Sequence, residues 1–235
     1  MNQKNHIRAP FFEIGPKSYL VGDEVLELAL FADSAAKKYD IDIIFTCPVV
    51  DIRKVAEATD RIFVFAPHMD PLERGRGLAD TLPESLVAAG AKGVMLNHCE
   101  KPVTLAILNK TIKRAKEVGL MTIICTDTIE EASAVACLSP TIIVAEPTEL
   151  IGTGKTSDMG YIEASIKAVK SVNPDILVLQ GAGISNGQNV FDVIVAGAEA
   201  TGSSSGVVNA KDRAAMVDEM IGSVRKAWDL RNNTK

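Results

Sequence analysis

The sequence predicts an α/β fold, a single (β/α)₈ barrel spanning residues 1–235, and three observations carry that expectation. Short β-branched runs alternate along the chain with longer amphipathic runs, the order that builds a parallel sheet with crossover helices. Eight runs of each kind can be counted, and 235 residues over eight units gives about 29 per unit, a normal βα length for a closed barrel. The first strand-to-helix turn, Ile14-Gly15-Pro16-Lys17-Ser18, lacks the GxGxxG that a doubly wound open sheet usually carries. No linker, charge block or Pro/Gly/Ser-rich seam divides the chain, so one domain is expected.

The strands are expected at residues 11–15, 41–47, 61–66, 92–97, 121–126, 141–145, 176–180 and 198–203. Most are continuously apolar rather than alternating, as strands covered on both faces must be. The last is the poorest strand former, because Glu199, Thr201 and Gly202 interrupt it. Helices are expected at 23–39, 49–58, 82–89, 102–118, 129–138, 159–172, 187–196 and 212–230. In the fourth, apolar residues recur at Leu105, Leu108, Ile112, Ala115 and Val118, close to helical spacing. Pro102 stands where a first-turn proline is tolerated, and Gly119 stands where a helix-ending glycine is favoured.

Composition narrows the function. Hydrophobic residues make up 47% and charged residues 23%, so a chain of this length buries enough core to need no disulfide or structural metal. No apolar run reaches the ~18 residues of a membrane span. Residues 1–10 are polar and basic, without the apolar stretch of a secretory signal. The net charge of −5 and the 5% aromatic content argue against nucleic acid, which needs a basic face or stacking rings, but leave room for a small anion. Cys47, Cys99, Cys125 and Cys137 show no CxxC or zinc spacing, which fits a reducing, cytoplasmic setting.

Barrel ligands bind at the C-terminal ends of the strands. The residues just beyond the expected strands are Lys17, His98, Glu146, the loop Gly181-Ala182-Gly183-Ile184-Ser185 and the loop Ser204-Ser205-Gly206. One cation, one imidazole, one carboxylate and two small-residue loops on one rim suit proton abstraction beside a carbonyl on a phosphorylated substrate. Each has a plainer reading alone: a surface lysine, a core histidine, an ion-paired glutamate, glycines that merely permit turns. Their joint placement favours the functional one. Other motifs fail. Gly154-Lys155-Thr156 would be a phosphate loop only with glycine at 149, where Glu149 stands. Gly181, Gly183 and Gly187 are spaced one residue too long for a dinucleotide fingerprint. His68 and Asp70 lack a third metal ligand. No metal and no nucleotide cofactor are expected.

Three segments carry a family resemblance: Asn97-His98-Cys99-Glu100, the run Glu146-Pro-Thr-Glu-Leu-Ile-Gly-Thr-Gly154, and Gly181-Ala-Gly-Ile-Ser-Asn-Gly187. They resemble the triosephosphate isomerase family in its short archaeal-type form, and Ser205-Gly206-Val207 with Ala210-Lys211-Asp212 fits too. The likeness runs from about Phe11 to Leu230 and implies a TIM barrel. The implied activity interconverts dihydroxyacetone phosphate and D-glyceraldehyde 3-phosphate through an enediolate, without a cofactor, in glycolysis and gluconeogenesis. By resemblance Glu146 is the general base, His98 the neutral electrophile, Lys17 the cation, and residues 146–155 the mobile lid; the family is itself a familiar case of lid closure. Gly152, Gly183, Ser185, Ser205 and Gly206 match the phosphate cradle. A homodimer or homotetramer is implied, with a small sugar phosphate as partner and neither nucleic acid nor membrane. His98 precedes Pro102, so the positive end of the expected helix at 102–118 would keep the imidazole neutral.

The departures bear on substrate. Gly15 stands where the family usually carries asparagine, two residues before the lysine, and Leu78-Ala79 stands where its third loop usually carries Thr-Gly. Cys99 stands for serine. These changes admit two other readings: the same chemistry on a larger sugar such as a tetrulose phosphate, or a phosphate-binding relative without turnover.

Overall fold

The computed structural model describes residues 6–233, so residues 1–5 of the polar start lie outside the described residues. Within them, eight parallel strands pair in chain order: β1 (Phe11–Ile14), β2 (Asp42–Thr46), β3 (Phe63–Ala66), β4 (Gly93–Leu96), β5 (Met121–Thr126), β6 (Ile142–Ala145), β7 (Leu177–Gln180) and β8 (Ala200–Ser203). β8 pairs back onto β1, so that Phe11 faces Asp42 on one side and Ala200 on the other, and the sheet closes. Closure leaves no edge strand, which explains how weak strand formers persist in β8: its ladder is completed from both β7 and β1.

The helices are α1 (Asp23–Tyr39), α2 (Ile52–Ala58), α3 (Pro83–Ala88), α4 (Leu105–Glu117), α5 (Ile129–Ala136), α6 (Met159–Val172), α7 (Gly187–Val195), α8 (Ser205–Val208) and α9 (Arg213–Asn233). All eight expected helices are present within three residues at either end, and α1 and α6 match at both ends. The additional one, α8, is not foreseen, because four residues are too few to show helical periodicity. The turn ahead of α2, Val49–Asp51, is 3₁₀ rather than α.

The start of α4 corrects the sequence reading. The helix begins at Leu105, and Thr104 caps it by accepting the Ile107 N–H on Oγ1 at 3.3 Å. Pro102 therefore lies ahead of the helix, and the Val103 N–H goes to Asn97 Oδ1 at 3.1 Å. The far end is as expected: Gly119 takes φ +78° just past the last turn.

Side chains alternate in and out along each strand. Inward, Phe11, Ile44, Phe63, Phe65, Ile123, Ile142, Val144, Leu179 and Ala200 fill the barrel axis. Gly93 is required there, since a Cβ at that position would come within 2.3 Å of the Phe65 ring. Outward, Phe12, Ile14, Ile43 and Phe45 join the larger core between sheet and helices. The same alternation turns Glu13 and Thr46 inward above Phe11 and Ile44, toward the C-terminal mouth.

Candidate active site

At that mouth lies a cavity of about 550 Å³. Its floor is the uppermost layer of inward side chains: Glu13, Thr46, Met95, Cys125, Val144 and Leu179. Its rim includes Lys17, His98, Glu146, Gly152, Gly183, Ser185 and Ser205, so seven of the eight residues singled out from sequence share one wall. Gly206 is not on that surface. It lies in α8, where a Cβ would press on the Ile184 carbonyl at 2.6 Å and the Ser185 Cα at 2.8 Å, so a glycine lets the two loops pack closely.

Lys17 sits in the turn after β1 with φ +48°, a left-handed conformation that an ordinary side chain adopts only under constraint. Its Nζ lies 3.1 Å from Glu100 Oε1, and Glu100 is the residue that sequence reasoning missed here. The pairing joins loops after β1 and β4, which no sequence spacing could reveal.

His98 is positioned by its neighbours. Asn97 takes φ +58°, donates from Nδ2 to the Cys125 carbonyl (3.0 Å) and Glu131 Oε1 (3.2 Å), and so pins the loop to β5 and α5. His98 Nδ1 accepts the Glu100 N–H at 3.1 Å. With Nδ1 accepting, the neutral ring carries its proton on Nε2. The imidazole is held below its usual pKa, first by burial and then by Lys17, against the opposing pull of Glu100. The start of that helix is corrected from Pro102 to Leu105, and burial with a neighbouring cation holds the ring neutral.

Glu146 follows β6 and lies along the loop after β7. Its Oε1 accepts the Ala182 N–H at 2.7 Å. A Cβ on Gly181 would come within 2.7 Å of the Glu146 Cδ, so that glycine is needed for room rather than for its backbone angle. Burial raises the carboxyl's pKa above the ordinary value, while the Ala182 N–H and Lys17 pull it down.

Beyond Glu146 the chain forms a 3₁₀ turn, Thr148–Leu150, and an exposed tip. Thr148 N–H donates to Asp127 Oδ1 at 2.6 Å, and Gly152 and Gly154 both take φ +73°. The far end of this segment rests on the loop after β7: a Cβ on Gly183 would collide with the Lys155 carbonyl. Ser185 N–H and Oγ–H both donate to Asn189 Oδ1, at 3.2 and 2.9 Å, so a ligand taking that N–H has to displace the asparagine.

Other sequence candidates serve the scaffold. Asp70 receives the Thr81 N–H at 2.7 Å and His68 Nε2 lies 3.3 Å from Asp70 Oδ1, which ties the loop after β3. Among the described residues no three His, Cys, Asp or Glu side chains group as metal ligands. None of the described helices is long and apolar enough to cross a membrane. Leu78 is 95% exposed and does not wall the cavity.

The model of the triosephosphate isomerase family matches residues 17–220. Among relatives, the chain is 37% identical over 217 residues to the triosephosphate isomerase of Methanothermus fervidus, covering 90% of this chain and 97% of that one. It is 38% identical to that of Methanocaldococcus jannaschii over 86% of this chain and 93% of the relative. With that of Sulfolobus acidocaldarius the identity is 33% over 96% and 99%.

Proposed function

The chain belongs to the triosephosphate isomerase family, an aldose–ketose isomerase on a TIM barrel, and on that premise we propose that Glu146, His98 and Lys17 interconvert dihydroxyacetone phosphate and D-glyceraldehyde 3-phosphate. The observation that carries the reading is the convergence of a raised-pKa carboxylate, a neutral imidazole and an ammonium on one cavity. Glu146 takes the proton from the carbon beside the carbonyl. His98 donates from Nε2 to the carbonyl oxygen as it gains negative charge, and the Lys17 ammonium stabilises the enediolate. Glu146, now protonated, returns the proton to the adjacent carbon, and the hydroxyl proton of the substrate passes through His98 Nε2 to the former carbonyl oxygen, which restores the imidazole. Atoms balance with no added reactant. A base held up by burial and an electrophile held neutral are the protonation states this sequence needs at pH 7.

The phosphate is assigned to the backbone around Gly152, Gly183, Ser185 and Ser205, where the loops after β7 and β8 meet the start of a short extra helix, a common phosphate site in this architecture. Gly206 supports that site from behind. We assign the assembly as a homodimer or homotetramer; Val50 and Leu78, 89% and 95% exposed, are apolar surface that a second copy would cover. The test is kcat/KM for D-glyceraldehyde 3-phosphate with Glu146→Gln as blank. A value near the ceiling of ~10⁸ M⁻¹s⁻¹, a limit this family is known for, supports the triose reading. A slow rate still abolished in the blank points to a larger sugar phosphate. Turnover that survives in the blank overturns the assignment of the base.

A further inference from the structure

The mechanism leaves one cavity carboxyl unused. Glu13 is the charged member of an otherwise apolar strand, and the one β1 side chain with access to solvent, which it gains through the cavity it lines. Space has been made for it twice. A Cβ on Gly15 would lie 3.1 Å from Glu13 Oε1, and a Cβ on Gly202 would lie 3.1 Å from Oε2. Thr46 Oγ1 donates to Oε1 at 2.5 Å, while Oε2 has no hydrogen-bond partner among the described residues. Met95, Cys125, Val144 and Leu179 share the floor and offer no competing polar group of comparable strength.

An under-satisfied carboxyl on an apolar floor costs stability unless a ligand completes it. We propose that Glu13 is a specificity-determining residue of this site, its free oxygen hydrogen-bonding a hydroxyl of the bound sugar phosphate at the end remote from the phosphate. The proposal rests on the isomerase reading above. The choice of end follows from charge and depth. A carboxyl repels phosphate, and Glu13 lies two residues, roughly 6–7 Å along the strand, below the rim where the phosphate loops meet. A site built to bind a hydroxyl rejects an analogue lacking it far more strongly than an apolar wall does, because the protein group is then left buried and unpaired. Burial lifts the Glu13 pKa to about 7, with Thr46 and Lys17 opposing and Glu146 adding to it, so the group can donate as well as accept near neutrality. The titratable groups facing it are Lys17 beyond β1, Glu146 beyond β6 and the Cys125 thiol of β5.

The experiment compares the intact protein with Glu13→Gln and Glu13→Leu, using three probes. Inorganic phosphate reports the phosphate loops alone. Dihydroxyacetone phosphate and acetol phosphate, which lacks its hydroxyl, report the remote end. The expected result is that the protein binds dihydroxyacetone phosphate at least tenfold more tightly than acetol phosphate, and that Glu13→Leu erases the difference. Phosphate affinity stays within about twofold, and Glu13→Gln removes an ionisation near pH 7 from the KM profile while lowering kcat less than KM rises. The same collapse seen only with a four-carbon sugar phosphate also supports the contact, with the hydroxyl one carbon further on. An unchanged preference in both variants, or no preference to begin with on either the three-carbon or the four-carbon sugar phosphate, overturns the proposal. So does an equal loss for all three probes, which marks a structural role. Should Glu13→Leu fail to fold, Glu13→Gln decides by preference and pH profile. Turnover surviving in Glu146→Gln would sink the isomerase reading separately, while the binding preference still judges Glu13.

Discussion

Each end of the barrel buries two carboxyls, and the two ends treat them oppositely. At the N-terminal end, Asp42 receives the Arg8 N–H at 2.8 Å and ion pairs from Arg8 and Arg61 at 3.2 and 2.7 Å. Asp33 receives the N–H groups of Asp60, Arg61 and Ile62 at 3.0, 2.6 and 3.2 Å, with Lys37 at 2.7 Å. Burial pushes both acids up, yet these donors together outweigh it, and both lie below their ordinary pKa. At the C-terminal end, Glu146 and Glu13 have one hydrogen bond each, and burial wins. The lesson is that burial alone does not decide a carboxyl's state; the number of donors does. The satisfied end holds the barrel together, and the unsatisfied end keeps its charge chemistry available.

Substitutions at the two ends should therefore separate activity from stability. The largest effect is expected for Glu146→Gln: kcat for triose phosphate falls by ~10³-fold or more, about 4 kcal/mol in the barrier, with little change in melting temperature. A loss of less than tenfold in a steady-state assay would remove Glu146 as the base. Lys17→Ala should weaken a phosphorylated inhibitor by ~10²-fold, about 2.7 kcal/mol, again without unfolding the chain. Unchanged affinity by calorimetry would place Lys17 outside the site. Asp42→Asn should do the reverse, costing about 2 kcal/mol in denaturant unfolding while kcat holds, because two guanidiniums lose their shared partner but keep some solvent.

The smallest effect is in pH dependence, and its sign differs between ends. Asp42, held low, gives stability that is present above its unfolded pKa and lost as pH falls through the lower folded value. Glu13, raised to about 7, does the opposite: the unfolded chain releases its proton first, so stability drains away between the ordinary glutamate range and pH 7. Melting curves at pH 5 and 8 should show Glu13→Gln losing about 1–2 kcal/mol less than the parent, a value discounted because the cavity admits water. Equal losses would mean that Glu13 titrates normally.

Much of this was legible before folding was considered. Apolar runs and helical spacing are local signals, so strands such as β5 and helices such as α1 and α6 stand where the sequence places them. Lys17, His98 and Glu146 were legible because each directly follows a strand or its turn, where a barrel puts ligand groups. Glu100 was not, since its value lies in reaching Lys17 across 83 positions of sequence. Thr104 displaced Pro102 as the helix start because capping is settled by which side chain finds the free N–H groups, as Thr104 does for Ile107.

The sequence by itself determined the alternation, the count and the three polar groups at strand ends, because those depend on residue type and spacing along one chain. Only the tertiary structure decided the protonation states. Glu13 and Asp42 are both acids on paired strands, β1 and β2, two register positions apart and at opposite ends of the barrel. The sequence contains nothing to tell them apart, and the fold gives one two arginines and the other a single hydroxyl.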